Sequence, residues 1–157
     1  MRNIVLYGEH ELSIDDKNRM LVPSDIRKQL DPNLDGTAFF LVPGTDGRPW
    51  LYPDLYYKEL FGQRRARLTP DEDSLAYDRM MLGMASRMEW DKQGRVLFPE
   101  KFMKRSGLVR EVTLVGNRDH LEIWARPAWD EEKQKMEARR SEIILRGQQD
   151  LPPLTQA

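Results

Sequence analysis

Polar and apolar residues along this chain fall into short alternating runs, and one pattern of them occurs twice. Leu12, Ser13 and Ile14 alternate as a half-buried strand does, four polar residues follow (Asp15, Asp16, Lys17, Asn18), and Arg19-Met20-Leu21-Val22 leads to Pro23. The same frame returns 76 residues on: Met88 and Trp90, then Asp91-Lys92-Gln93-Gly94, Arg95-Val96-Leu97-Phe98 and Pro99. A shared offset over a segment of this length indicates a duplicated module. Each copy predicts strand, tight polar turn, strand. Asn18 and Gly94 stand at equivalent places, and these residue types best tolerate a left-handed backbone, so the turn is expected to need positive φ there. Pro99 is expected at the first position of a helix that turns Phe102 and Met103 inward and stops at Gly107. In the first copy Ser24 is expected to cap a shorter helix carrying Ile26 and Leu30, closed by Asp31-Pro32.

The pattern continues beyond the helices. Thr37 to Val42 is an apolar run expected as a buried strand; a turn cluster follows from Pro43 to Pro49, and Trp50-Leu51-Tyr52 returns. The second copy matches with Val112 to Val115, a turn at Gly116 to Asp119, and Leu121 to Trp124. Each module therefore reads β–turn–β–α–β–turn–β. Tyr52 and Tyr57 are echoed by Trp124 and Trp129, expected as core. Between the modules, one helix is expected from about Asp54. A second should open at Thr69-Pro70-Asp71-Glu72, which has the form of a capping box, and run to about Gly83. A long charged helix is expected from Pro127 to about Arg146, stopped by Gly147, with Glu131 and Lys135 paired on its surface. The organisation is thus module one at 9–56, a helical linker at 57–84, module two at 85–128, a C-terminal helix at 129–147 and a disordered tail at 148–157. Residues 1–8 form an apolar lead-in that could add to a sheet. Four short strands and one turn of helix make a poor core alone. The fold class is therefore α+β, with the two modules closing an intramolecular pseudo-twofold barrel.

Composition narrows this picture modestly. A hydrophobic content of 39% and a charged content of 32% describe a soluble globular chain. No apolar run approaches the roughly 20 residues of a membrane helix, and the N-terminal residues do not form a signal peptide, so a cytoplasmic location is expected. The absence of cysteine removes disulfides and thiolate metal sites. The net charge of −1 counts against a whole-molecule basic field, so a nucleic-acid partner would require local concentration of charge or multiplication by oligomer symmetry.

Candidate chemistry centres on the repeated turn. Arg19 and Arg95, with Lys17 and Lys92, have two readings. Each Arg can pair locally with Asp15 or Asp91 to hold the turn, with Asn18 and Gly94 supporting it. Alternatively, the turn presents Arg and Lys to phosphates and base edges, where Arg can contact guanine at two points. His10 and His120 are isolated, at non-equivalent places, and read as surface or strand residues. Asp71, Glu72 and Asp73 favour a helix N-terminus. Arg64, Arg65 and Arg67 read as a solvated helix end, with a DNA-backbone or inter-subunit role as the alternative. No nucleophile–base pair, phosphate-binding glycine loop or metal-ligand spacing points to an enzyme, and no metal, cofactor or small-molecule substrate is called for. The remaining classes are a DNA-binding regulator and a protein-interaction module whose acidic C-terminal arm binds a partner.

The two Asp-x-x-x-Arg frames, each followed by aliphatic residues, a Pro and a short helix, resemble the SpoVT–AbrB swapped-hairpin module in tandem. In detail the chain resembles the MraZ family of bacterial transcriptional regulators, also at Leu51-Tyr52-Pro53, Leu82 to Ser86 and Leu114-Val115-Gly116, over roughly residues 8–129. The resemblance implies sequence-specific binding of double-stranded DNA by a ring-like homo-oligomer, nucleoid-associated, through Lys17, Arg19, Lys92 and Arg95. It further implies repression at repeated elements upstream of the division and cell-wall gene cluster, including the protein's own operon. Two departures stand out. Lys17-Asn18-Arg19 replaces the family's usual Lys-Gly-Arg, and Tyr7 replaces the Arg common just before the N-terminal Gly.

Overall fold

A computed structural model describes residues 3–153. The order of elements follows the repeat: β1 (Glu9–Ser13), β2 (Arg19–Leu21), α1 (Ser24–Arg27), β3 (Ala38–Pro43), β4 (Pro49–Pro53) and α2 (Asp54–Gly62). Then α3 (Glu72–Asp78) runs into a π-helical turn at Arg79–Gly83, and the second set follows: β5 (Ser86–Glu89), β6 (Arg95–Leu97), α4 (Glu100–Ser106), β7 (Glu111–Asn117) and β8 (His120–Ala125). Two further helices, α5 (Arg126–Ala138) and α6 (Arg140–Gln148), form a unit of their own; residues 1–125 form the other.

The strand pairing shows how the repeat folds. Six strands make one antiparallel sheet in the order β1-β7-β8-β4-β3-β5, and β2 pairs only with β6. Exchanging the two copies, β1 with β5, β3 with β7 and β4 with β8, returns the same order reversed. The first strand of each copy therefore lies against the third strand of the other: Leu12 opposite Val112, and Met88 opposite Phe39. The copies join at the centre where β4 meets β8, Leu51 opposite Leu121. A second join is the ribbon in which Met20 faces Val96.

The core is shared in the same way. Ile14, Met20, Val22 and Phe39 from the first copy pack with Met88, Val96, Phe98 and Leu114 from the second, all at most 3% exposed. Ahead of β1, Ile4 and Leu6 are buried while Val5 and Tyr7 are exposed, and Leu6 makes an isolated bridge to Arg118.

The structure corrects several expectations. The sheet is open, with no closed barrel. The turn at Asp15 carries the chain out of β1 into β2, and β2 forms its ladder with β6 rather than with an edge strand of the six-stranded sheet. Pro23 and Pro99 sit at the cap position just ahead of α1 and α4, so Ser24 is the first helical residue rather than the cap. Gly107, at φ 62°, ends α4 in the left-handed conformation. At α3 the cap is Asp71, whose carboxylate accepts from the Ser74 N–H; Pro70 lies outside the helix. The expected long C-terminal helix is broken at Arg139, and α6 passes through Gly147, which does not stop it. Glu131 and Lys135 do pair, at 3.5 Å. The expected tail begins within α6, and residues 154–157 and Met1–Arg2 lie outside the described residues.

Because β1 and β3 depend on β7 and β5, residues 1–84 expressed alone are expected to lack a fixed fold. Far-UV circular dichroism and amide dispersion would show it. Mixing this fragment with residues 85–157 is expected to restore the native spectrum. A well-dispersed spectrum from residues 1–84 alone would show that cross-copy pairing is dispensable.

Candidate nucleic-acid interface

Each repeated turn is built around one carboxylate. Asp15 Oδ1 accepts from the N–H groups of Lys17 (2.9 Å) and Arg19 (2.8 Å), while Oδ2 accepts from Arg19 Nε at 2.8 Å. In the second copy Asp91 Oδ1 accepts from Gln93 (2.9 Å) and Arg95 (3.0 Å), and Oδ2 from Arg95 Nε at 3.0 Å. Asn18, at φ 62°, and Gly94, at φ 83°, supply the left-handed residue. The Arg19 N–H, joined by its guanidinium and the Lys17 N–H, holds the Asp15 carboxyl below the usual carboxylate range. Asp91 is lowered in the same way, chiefly by the Arg95 N–H. The carboxylate thus fixes both the turn and the direction of the arginine. Since it engages Nε, the two terminal amino groups of each guanidinium are left for a further acceptor.

The two turns meet through the ribbon. Val22 N–H donates to Gly94 O and Phe98 N–H donates to Asn18 O, both at 2.8 Å, so each left-handed residue receives the strand of the other copy. In the ladder Arg19 faces Leu97 and Arg95 faces Leu21. Alternation along each three-residue strand puts Arg19, Leu21, Arg95 and Leu97 on one side, with Met20 and Val96 fully buried on the other. The arginine side chains are about one-third exposed. As diagonal neighbours in an antiparallel pair their positions are about 7–8 Å apart. Lys17 and Lys92 are exposed on the turns, at opposite ends of the ribbon. Fold and repeat together therefore bring all four candidate basic residues to one strip.

Two more arginines brace this strip, and the repeat did not reveal them. Arg110 donates to Asp15 O and, at 3.4 Å, to Asn18 Oδ1, covering the first turn. Arg27 donates from Nε to Val22 O at 3.1 Å and lies over the second turn; a Cβ at Gly94 would sit 2.6–2.9 Å from its guanidinium. Arg27 occupies the place where the second copy has Met103, so no repeat signal marks it.

A second polar cluster lies at the β7–β8 turn. His120, stacked on Trp50 with ring centres 3.9 Å apart, contacts Asp119 at 2.9 Å and Glu122 at 3.2 Å. Glu122 also accepts from Trp124 Nε1 (3.0 Å) and Asn117 Nδ2 (2.9 Å), and Asp119 accepts from Tyr56 at 2.8 Å. Burial alone would lower the His120 pKa, but the two carboxylates raise it above its ordinary value. Hydrogen bonding to His120, against burial, takes Glu122 down to about 2. Burial would raise Asp119, yet the bonds from His120 and Tyr56 leave it lowered. The sequence alone reads His120 as an isolated surface or strand residue, whereas it is a buried strand residue within this cluster. The available signal was the spacing of His120, Glu122 and Trp124, which puts them on one face of a strand. Among the described residues no group of three or more His, Asp or Glu is placed to hold a metal ion, and no helix is long and apolar enough to cross a membrane.

Comparison with known proteins places this architecture in a family. The family model described as "MraZ protein, putative antitoxin-like" matches residues 81–150. Among relatives, a protein of Pediococcus pentosaceus is 35% identical over 125 residues, covering 79% of this chain and 83% of its own length. One from Natranaerobius thermophilus is 33% identical, covering 83% and 88%, and one from Clostridium tetani is 31% identical, covering 79% and 84%. All three are named "Transcriptional regulator MraZ".

Two outcomes follow from the geometry. Gly94→Ala is expected to lose about 1–2 kcal/mol in denaturant unfolding from its left-handed backbone alone, and more from the clash with Arg27. Adding Arg27→Ala should recover the second part only. For His120, a raised folded pKa means its contribution is complete below the ordinary histidine value and is lost as pH rises through the folded value. Asp119 and Glu122, being lowered, contribute fully above their ordinary values and lose that contribution in acid. The melting temperature of wild type relative to His120→Gln should therefore be greatest between about pH 5 and 6.5 and narrow towards pH 9; a constant difference would refute the charged cluster.

Proposed function

The chain belongs to the MraZ family, and from that premise we propose that it is a transcription regulator binding double-stranded DNA sequence-specifically through the β2–β6 ribbon and its turns. The single observation that carries this reading is the ribbon's outer face. The major groove of B-DNA admits a two-stranded β-ribbon. Here such a ribbon presents two arginines whose Nε atoms are already held by Asp15 and Asp91. Their terminal amino groups are suited to the O6 and N7 acceptors of guanine, and Lys17 and Lys92 at the ends are suited to phosphate. Asp15, Asn18, Asp91 and Gly94 are the supports that preorganise the contact.

The finer reading rests on the family resemblance. The regulator acts as a repressor at repeated elements in the promoter of the division and cell-wall gene cluster, including its own operon. It works as a ring-like homo-oligomer in the cytoplasm, associated with the nucleoid. A near-neutral subunit with a small contact strip is consistent with affinity obtained by multivalency. The modules at 9–56 and 85–128 are one contact unit, joined by the helical linker at 57–84 and followed by the C-terminal helical segment at 129–147 and the tail at 148–157. No catalysis, cofactor or small-molecule substrate enters this function. A second reading, an antitoxin-like protein-interaction module, is favoured by the family model's description and by exposed Ile143, Ile144 and Leu145 on α6.

The test is binding to a fluorescent fragment of the protein's own upstream region, beside a scrambled fragment, by anisotropy. Arg19→Ala and Arg95→Ala are each expected to weaken selective binding by about 5–150-fold, the worth of about 1–3 kcal/mol for a bidentate base contact, with fold and oligomer size unchanged. Wild-type binding should fall steeply with salt. Equal, weak binding to both fragments, indifferent to either arginine, would move the assignment to a protein partner.

A further inference from the structure

The ribbon's outer face holds two large apolar side chains as well as two arginines. Leu21 is 47% exposed and Leu97 61% exposed, although each sits one residue from a fully buried neighbour, Met20 or Val96. Scattered exposed leucines are ordinary on a protein surface. This pair is set apart by position. Leu21 and Leu97 are equivalent in the repeat, and the same residue occupies both places while the flanking core positions differ, Met20 against Val96 and Val22 against Phe98. Each also stands directly across the ladder from an arginine, Leu97 from Arg19 and Leu21 from Arg95. Packing within the chain does not call for leucine there, since both side chains point away from the core.

Directly opposed residues in an antiparallel pair have Cβ atoms about 4.5–5.5 Å apart. The rise between base pairs is about 3.4 Å. An arginine and its facing leucine therefore reach base edges one or two steps apart. In the major groove the apolar feature available to such a leucine is the C5-methyl group of thymine. We propose that Leu21 and Leu97 are specificity-determining residues: each reads a thymine methyl beside the guanine contacted by the arginine across the ladder. The inference rests on the DNA-binding reading above and adds a base that the arginines alone do not specify. Each Arg–Leu pair is one reading unit, and the ribbon carries two, related by the pseudo-twofold.

Uracil tests this directly, because it lacks only the methyl group and keeps the charge and pairing edges of thymine. The protein's own upstream fragment would be amplified with either dTTP or dUTP, and binding of the full-length chain compared by anisotropy competition. Wild type is expected to bind the uracil fragment about fourfold more weakly for each buried methyl contact, the worth of one methyl-sized apolar group. Leu21→Ala/Leu97→Ala is expected to bind both fragments equally. Arg19→Ala should weaken both while keeping their ratio at the second unit.

Equal wild-type affinity for the two fragments would overturn the proposal while leaving the DNA reading in place, provided binding still exceeds that to a scrambled fragment. A uracil penalty that persists undiminished in the double leucine variant would also overturn it, assigning the methyl effect to DNA shape. If the double variant changes oligomer size by light scattering, the leucines are subunit contacts and the proposal falls. Absence of selective binding to either fragment removes the underlying reading, and this inference with it.

Discussion

Hydrogen bonding between the two copies is the constraint on which the rest of this structure depends. Every strand must satisfy its backbone N–H and C=O groups, and here the first strand of each copy does so against the other copy's third strand. Once β1 lies on β7 and β5 on β3, the linking turns leave opposite edges of one sheet and their second strands meet as the ribbon. The shared core follows from the same arrangement: Ile14 and Met20 are buried beside residues of the second copy because their strands are paired there.

The ribbon gains its directional chemistry from a local device. One carboxylate accepts two backbone N–H groups and one guanidinium Nε, so turn geometry and arginine orientation are set by the same group. A side chain held before a ligand arrives loses less conformational freedom on binding. Repetition then places two such arginines on one face, and the left-handed residues Asn18 and Gly94 tie the copies together through their carbonyls. The two turns are alike in backbone and differ in their cover. Arg110 caps the first through Asn18, while Arg27 lies on the second in space that a side chain at position 94 would fill.

Elsewhere the copies have diverged in ways that fit different surroundings. The β7–β8 turn carries the Asp119–His120–Glu122 cluster against Trp50, whereas the equivalent β3–β4 turn is a glycine-containing loop closed by Asp46 and Arg48. The cluster lies beside the central β4–β8 pairing, where Trp50 faces Glu122, so the Tyr56–Asp119 hydrogen bond and the stacking of Trp50 on His120 link the two copies away from the ribbon.

By itself the sequence determined the repeat, the order of the strands and of the helices within the two copies, and the left-handed positions at residues 18 and 94, and it offered the pairing of Asp15 with Arg19 and Asp91 with Arg95 as one of two readings. These are interactions spanning five residues or fewer, or periodicities of two and three to four, so the local pattern is enough to express them. It also misled locally where two capping residues compete: Thr69 had the capping-box form, but the Asp71 carboxylate took the helix N–H. Only the tertiary structure decided which strands pair, and hence that the sheet stays open rather than closing into a barrel. It alone brought Arg27 over Gly94, Arg110 over Asn18, and Arg19 beside Leu97, contacts between residues about 70 to 90 positions apart in the chain. Such contacts leave no periodicity to read, because they arise from the path of the backbone rather than from the residues that flank them.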